Sequence, residues 1–130
     1  MHEQLLSGRR ILIVEDEMLV LMAIEDMLTD LGCTSVMTAG SIAKALDLIA
    51  ANAFDLATID VNLNGERSDP VADALADRGV PFAFSTGYGE HGLSNRHAGR
   101  PVLNKPYNRP QFTAVLIELL RLRDTPSVAA

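Results

Sequence analysis

The sequence predicts an α/β domain: a doubly wound, five-stranded parallel sheet with helices on both faces. Apolar patterning alternates between short strand-like runs and longer helical ones, with no repeat period. The 130 residues suffice for one core and are too few for two ordinary ones, and 48% of them are hydrophobic. Alternation of this kind favours right-handed crossovers between parallel strands, so ligands bind at the carboxyl ends of the strands.

Taken in order, residues 11–14 form a continuous branched run, as expected of a strand buried on both faces. Residues 18–31 have helical spacing, with Val20, Ala23, Ile24, Met27 and Leu28 on the inward face, and Gly32 ends the helix. A weaker outer strand is expected over 35–38. Ser41 then caps a helix whose Ile42, Ala45, Leu46 and Ile49 share one face. The third strand is 54–59. A polar stretch, 61–70, reads as a loop before a short helix over 71–78, closed by Gly79. Strand four is 82–85, strand five 101–103, and the last helix, 109–123, turns Phe112, Leu116 and Leu119 inward. Between strands four and five, Gly87, Gly89, Gly92 and Gly99 weaken helical propensity, so the fourth of five helices is expected to be short or mobile. The domain is expected over 10–123, with an N-terminal extension (1–9) and a frayed tail (124–130).

Composition narrows the function. A net charge of -6 supplies no basic stripe for nucleic acid, and no apolar run reaches the roughly 20 residues of a membrane span. No export signal is apparent at the start, so the reading is a soluble, cytoplasmic protein. The single cysteine, Cys33, reads as a packed residue. Arg96, His97 and Arg100 read as a solvated loop cluster, and His2, His91 and His97 as surface residues without metal-ligand spacing.

The chemistry converges on one edge. Glu15 and Asp16 follow the first strand and Asp60 the third, so the fold brings three carboxylates together. They repel unless something positive joins them, and hard oxygen donors suit Mg²⁺. Lys105, after the fifth strand, offers an ammonium to Asp60 or to a phosphoryl oxygen on it, and Thr86, ending the fourth, offers a hydroxyl. Phosphoryl transfer requires such a set, with Asp60 as nucleophile and catalysis mostly by positioning and electrostatics. Singly, each has a plainer reading as a turn, cap or solvated residue; four strand ends each contributing one member favour the functional one.

The motifs Ile-Leu-Ile-Val-Glu-Asp-Glu (11–17), Ala-Thr-Ile-Asp-Val-Asn-Leu (57–63), Phe-Ser-Thr-Gly-Tyr (84–88) and Lys-Pro-Tyr (105–107) resemble response regulator receiver domains. The resemblance runs from Arg10 to Leu122 and implies a flavodoxin-like sheet of order 2-1-3-4-5. It implies Asp60 as phosphoacceptor, Asp16 as direct metal ligand, Glu15 as ligand through water and the Asn62 carbonyl as backbone ligand, for Mg²⁺ or Mn²⁺. Thr86 and Lys105 match the family's phosphoryl-sensing pair, while Asn62 and Tyr88 occupy positions that set phosphoryl lifetime. Phe-Ser-Thr-Gly-Tyr is similar to the signature of the FAT GUY subgroup, with Ser85 in place of Ala. Those are typically single-domain proteins paired with HWE-type histidine kinases. Val102 stands where ordinary receivers carry an aromatic switch, so the expected substitute is ordering of 87–99 on phosphorylation.

The implied partners are a sensor histidine kinase and a downstream protein or second phosphotransfer protein. The first helix has more apolar residues than one face needs, and Met18, Leu21 and Met22 form a candidate docking face. Val115 and Ile117 leave room for a dimer. The reading is a phosphoacceptor that promotes its own phosphorylation and dephosphorylation. Output is expected through protein contacts or by draining a shared kinase. The alternatives are an aspartyl-nucleophile phosphatase or phosphotransferase, which usually carries a second Asp where Asn62 stands, and a non-phosphorylated pseudo-receiver binding module. A flavin-binding protein is disfavoured because Glu15-Asp16-Glu17 replaces a phosphate loop.

Overall fold

A computed structural model, describing residues 3–87 and 95–125, arranges the chain as alternating strands and helices. Strand β1 (Arg10–Val14), helix α1 (Met18–Asp30), β2 (Ser35–Ala39), α2 (Ile42–Ala51) and β3 (Leu56–Asp60) come first. A hairpin of β4 (Asn62–Leu63) and β5 (Glu66–Arg67) leads into α3 (Asp69–Asp77). Then follow β6 (Phe82–Thr86), a 3-10 turn (Asn95–His97), β7 (Val102–Asn104) and α4 (Arg109–Asp124).

The main sheet is wholly parallel, in the order β2-β1-β3-β6-β7, which is the expected 2-1-3-4-5 once the hairpin is left out. All five residues of β3 and of β6 are buried, as central strands covered on both faces require, including the polar Thr58, Asp60, Ser85 and Thr86. Helices α2 and α3 cover one face with Ala45, Ile49, Val71, Ala72 and Leu75. Helices α1 and α4 cover the other with Ile24, Met27, Leu28, Phe112, Leu116 and Leu119.

Local chemistry sets the helix ends. Ser41 accepts a hydrogen bond from the Lys44 N–H at 3.1 Å. Asn108 and Gln111 form a reciprocal capping box, at 2.9 and 2.8 Å, ahead of α4. Gly32 ends α1 with φ +85° and with the Glu3 carbonyl so near that a Cβ there would lie 2.4 Å from it. The stretch ahead of β1 is therefore strapped to the body: Leu6 is fully buried, its N–H donates to the Leu31 carbonyl at 2.9 Å, and Arg9 pairs with Asp124 at 2.6 Å.

Several expectations change. Helix α3 starts at Asp69 rather than 71, because Pro70 suits a first turn, where its missing N–H costs nothing. The expected loop over 61–70 contains the β4–β5 hairpin. On α1, Ala23 is exposed and Leu21 is half-buried against the core, the reverse of the expected stripe; Ala23 instead borders an open groove facing Pro106 and Tyr107. Val115 packs against the core and Ile117 lines a groove with Asp30 and Arg109, so neither stands clear of the domain. Cys33 is buried, as expected. Of the segment read as a weak fourth helix, 95–97 form the 3-10 turn, while 88–94 lie outside the described residues, as does the tail from 126.

Candidate functional site

Alternate residues of a strand point to one face. Ile11 and Ile13, Leu56, Ala83 and Leu103 all belong to the core between the sheet and α1/α4. Continuing each alternation to the carboxyl edge puts Glu15, Asp60, Ser85 and Lys105 on that same face. Asp60 and Ser85 are register partners, and Ser85 pairs in turn with Leu103. A polar row thus crosses the end of an otherwise apolar face.

Lys105 closes the row. Its Nζ lies 2.9 Å from Oε1 of Glu15 and 2.9 Å from Oδ2 of Asp60. Its backbone N–H is held by the Thr86 carbonyl at 2.8 Å. Glu15 and Asp60 are buried. Burial pushes the Glu15 carboxyl up to about 7, only partly opposed by hydrogen bonds from Lys105 and the Glu17 N–H. Asp60 is raised as well, burial again outweighing Lys105. For Lys105 burial works against the charge, yet the two carboxylates prevail and hold its ammonium well above the usual range. The sequence offered the Lys105 ammonium to Asp60; the structure shows it bridging Glu15 as well.

Asp16 completes the acidic group, with one oxygen each from Glu15, Asp16 and Asp60 within 4.8 Å of one another. Opposite ligands in a Mg²⁺ octahedron are about 4.2 Å apart, so these hard donors fit such an ion with small adjustments. Oδ2 of Asp16 accepts the Asn64 N–H at 2.9 Å. Asn62 donates its N–H to Oδ1 of Asp60 at 3.4 Å, and its side-chain oxygen accepts the Gly65 N–H at 2.8 Å.

The structure does not bring every expected residue into the pocket. The Thr86 hydroxyl donates to Oδ1 of Asn104 at 3.2 Å, on the opposite side of the strand from Ser85. Tyr88 lies outside the described residues. On the expected docking face Met18 and Met22 are 67% and 54% exposed, but Leu21 is not free; Leu19, at 81%, takes its place. Next to it runs a groove of about 530 Å³ between α1 and the chain after β7, bordered by Leu19, Ala23, Lys105, Pro106 and Tyr107.

His97 was expected at the surface and is buried, its ring edge-on to Phe82 and Phe84 and its Nε2 2.8 Å from Asp73. Arg96 pairs with the same Asp73 through two bonds of 3.0 and 2.9 Å, and Arg100 lies 4.2 Å over the Phe82 ring. The cluster read as a solvated loop therefore anchors the return to β7, because α3 presents an acceptor that sequence distance concealed. His2 and His91 lie outside the described residues.

Sequence reasoning also missed Asn64, Asn104 and the buried hydroxyls of Ser85 and Tyr107, which lie close together without completing a hydrogen bond. Asn64 had a signal: Asn-Gly between short runs marks a hairpin. For Asn104 and Tyr107 we find none.

A parallel five-stranded sheet with an acidic pocket at its carboxyl edge is the architecture of a receiver domain, and the sequence comparison agrees: the response regulator receiver domain model matches residues 11–116, and the chain belongs to that family. Among solved structures it is similar to SdrG from Sphingomonas melonis Fr1, with 44% identity over 86% of this chain and 96% of that one, at a TM-score of 0.78. It is similar too to the BeF3-activated conformation of SdrG from Pseudomonas melonis Fr1, with 43% identity, 85% and 95% coverage and a TM-score of 0.73. The PhyR receiver domain of Erythrobacter litoralis is 26% identical over 93% of this chain and 96% of that one, at a TM-score of 0.77. No curated protein matches. Among the described residues no helix is long and apolar enough to cross a membrane.

Proposed function

We propose that the protein is a response regulator whose receiver domain, residues 10–123, accepts a phosphoryl group on Asp60 from a sensor histidine kinase, with Mg²⁺ or Mn²⁺ as cofactor. The observation that carries this reading is the Lys105 ammonium bridging Glu15 and Asp60 at 2.9 Å each, beside a third carboxylate, at the sheet's carboxyl edge.

Asp60 presents its two oxygens unequally. Oδ2 is held by Lys105 at 2.9 Å, whereas the Asn62 bond to Oδ1 is long, at 3.4 Å, which makes Oδ1 the better nucleophile. Its attack on phosphorus forms an acyl phosphate and breaks the P–N bond to the donor's imidazole, whose nitrogen keeps the electron pair. Lys105, losing a full carboxylate partner, stays on Glu15 and turns to a phosphoryl oxygen. Thr86 exchanges Asn104 for another. Asp16, Asp60 and the Asn62 carbonyl would hold the cation, with Glu15 acting through water. When bound, the ion offsets charge on the phosphoryl oxygens. Asn62 and Tyr88 would govern water access and so the lifetime of the acyl phosphate.

The kinase docks on α1, where exposed Met18, Leu19 and Met22 adjoin the groove that leads to Lys105. An HWE-type donor is the one that the FAT GUY resemblance implies. Output passes through protein contacts in the cytoplasm or by draining the kinase. That SdrG has a BeF3-activated conformation supports this assignment.

Incubation with Mg²⁺ and acetyl phosphate, followed by intact mass, tests it. Wild type should gain one phosphoryl group and Asp60→Asn none. Equal labelling of both would refute the assignment, and sustained turnover of small phosphate esters would favour the phosphatase alternative.

A further inference from the structure

Asn64 and Gly65 both adopt positive φ, 54° and 85°, the backbone of a type I′ turn between β4 and β5. That turn folds the hairpin tip back over the sheet edge, where it is tied down twice. The Asn64 backbone N–H donates to Oδ2 of Asp16 at 2.9 Å, and its side-chain Nδ2 donates to the Gly40 carbonyl, between β2 and α2, at 3.2 Å. The base of the hairpin is equally fixed: Ser68 gives its N–H and hydroxyl to the Val61 carbonyl, at 2.9 and 3.1 Å. A short ribbon anchored at both ends therefore delivers one N–H to one oxygen of a carboxylate in the acidic pocket.

Resting on the cation site proposed above, we propose that Asn64 is a positioning residue for metal binding: by engaging Oδ2 it orients Asp16 to meet a cation through Oδ1 alone, and so favours Mg²⁺ over Ca²⁺. Mg²⁺ takes six ligands in a tight octahedron and is content with one oxygen per carboxylate. Ca²⁺ takes six to eight at longer distance and commonly uses both. An oxygen that already accepts an amide has one lone pair fewer and a fixed orientation, so that bond disfavours two-oxygen chelation. Hydrogen bonds that orient metal-binding groups contribute to affinity in the same manner.

The test follows the Asn64 amide by NMR hydrogen exchange in the intact protein as MgCl₂ or CaCl₂ is added. With Mg²⁺ the amide should remain at least as protected as without metal, and with Ca²⁺ it should exchange faster. Asn64→Ala, which removes the Gly40 bond and strains the left-handed turn, should weaken Mg²⁺ binding about tenfold and narrow the gap between the two ions. Asn64→Gly keeps the backbone and should fall between. Loss of protection in Mg²⁺, or an unchanged Mg²⁺/Ca²⁺ preference in Asn64→Ala, would overturn the proposal; should that variant fail to fold, exchange in the wild type decides. If neither ion moves the signals of Glu15, Asp16 and Asp60, the cation site itself is refuted. That result is distinct from one in which those signals move and the Asn64 amide does not discriminate.

Discussion

Glu15 and Asp73 each hold a cationic side chain at 2.9 Å, yet their carboxyls move in opposite directions. Glu15 is pushed up to about 7 and Asp73 is drawn down to about 2. The partners are comparable, Lys105 in one case and Arg96 with His97 in the other. What differs is water. Asp73 sits on the exposed side of α3, where the Arg96 guanidinium outweighs the small loss of hydration. Glu15 is buried just past the end of β1, where loss of hydration outweighs Lys105. An ion pair at the surface is thus a tether. The same pair at the sheet edge is a store of unfavourable negative charge that a bound cation would relieve.

The sharpest way to break this comparison is to remove the cation from each cluster. Lys105→Met strands two buried carboxylates and should lower stability at pH 8 by about 3 kcal/mol in urea unfolding, a loss that Mg²⁺ partly restores by binding the folded state. Arg96→Ala should change the urea midpoint far less. Equal losses would mean that burial does not separate the two clusters.

A second test uses pH. The folded Glu15 carboxyl, at about 7, lies above its ordinary 4.5, so the folded protein holds the extra proton between those values. Its contribution to stability therefore falls as pH rises from about 4.5 to 7. In metal-free buffer, Glu15→Gln should flatten the decline in Tm between pH 5 and 8, and a profile identical to wild type would contradict the burial argument. The smallest effect belongs to Asp73→Asn. Its depressed carboxyl contributes stability that is present above the ordinary 3.8 and lost as pH falls through about 2. The variant should melt slightly below wild type at pH 6, and the difference should shrink below pH 4.

Much of this was legible in the chain. The runs Ile11–Val14 and Phe82–Ser85 could only be buried strands, and acidic or basic residues directly after strands had to meet at one edge. Residues 61–70 were harder, since polar composition argues for loop, and the one counter-signal, Asn64-Gly65, marks a turn without saying what the turn touches. His97 was misread for a related reason: three flanking glycines and arginines suggest solvent, whereas burial depended on Asp73 and two phenylalanines from other elements.

By itself, then, the sequence determined the fold, the strand ends that carry charge, and the identity of Asp60, Lys105, Glu15 and Asp16 as neighbours. Periodicity and local turn chemistry are properties of adjacent residues, and they suffice for that. Only the tertiary structure decided that Lys105 bridges Glu15 and Asp60, that Thr86 rests on Asn104, and that Asn64 holds one oxygen of Asp16. These depend on distances of about 3 Å between side chains far apart in the chain, and on how much water reaches them, which no local pattern encodes.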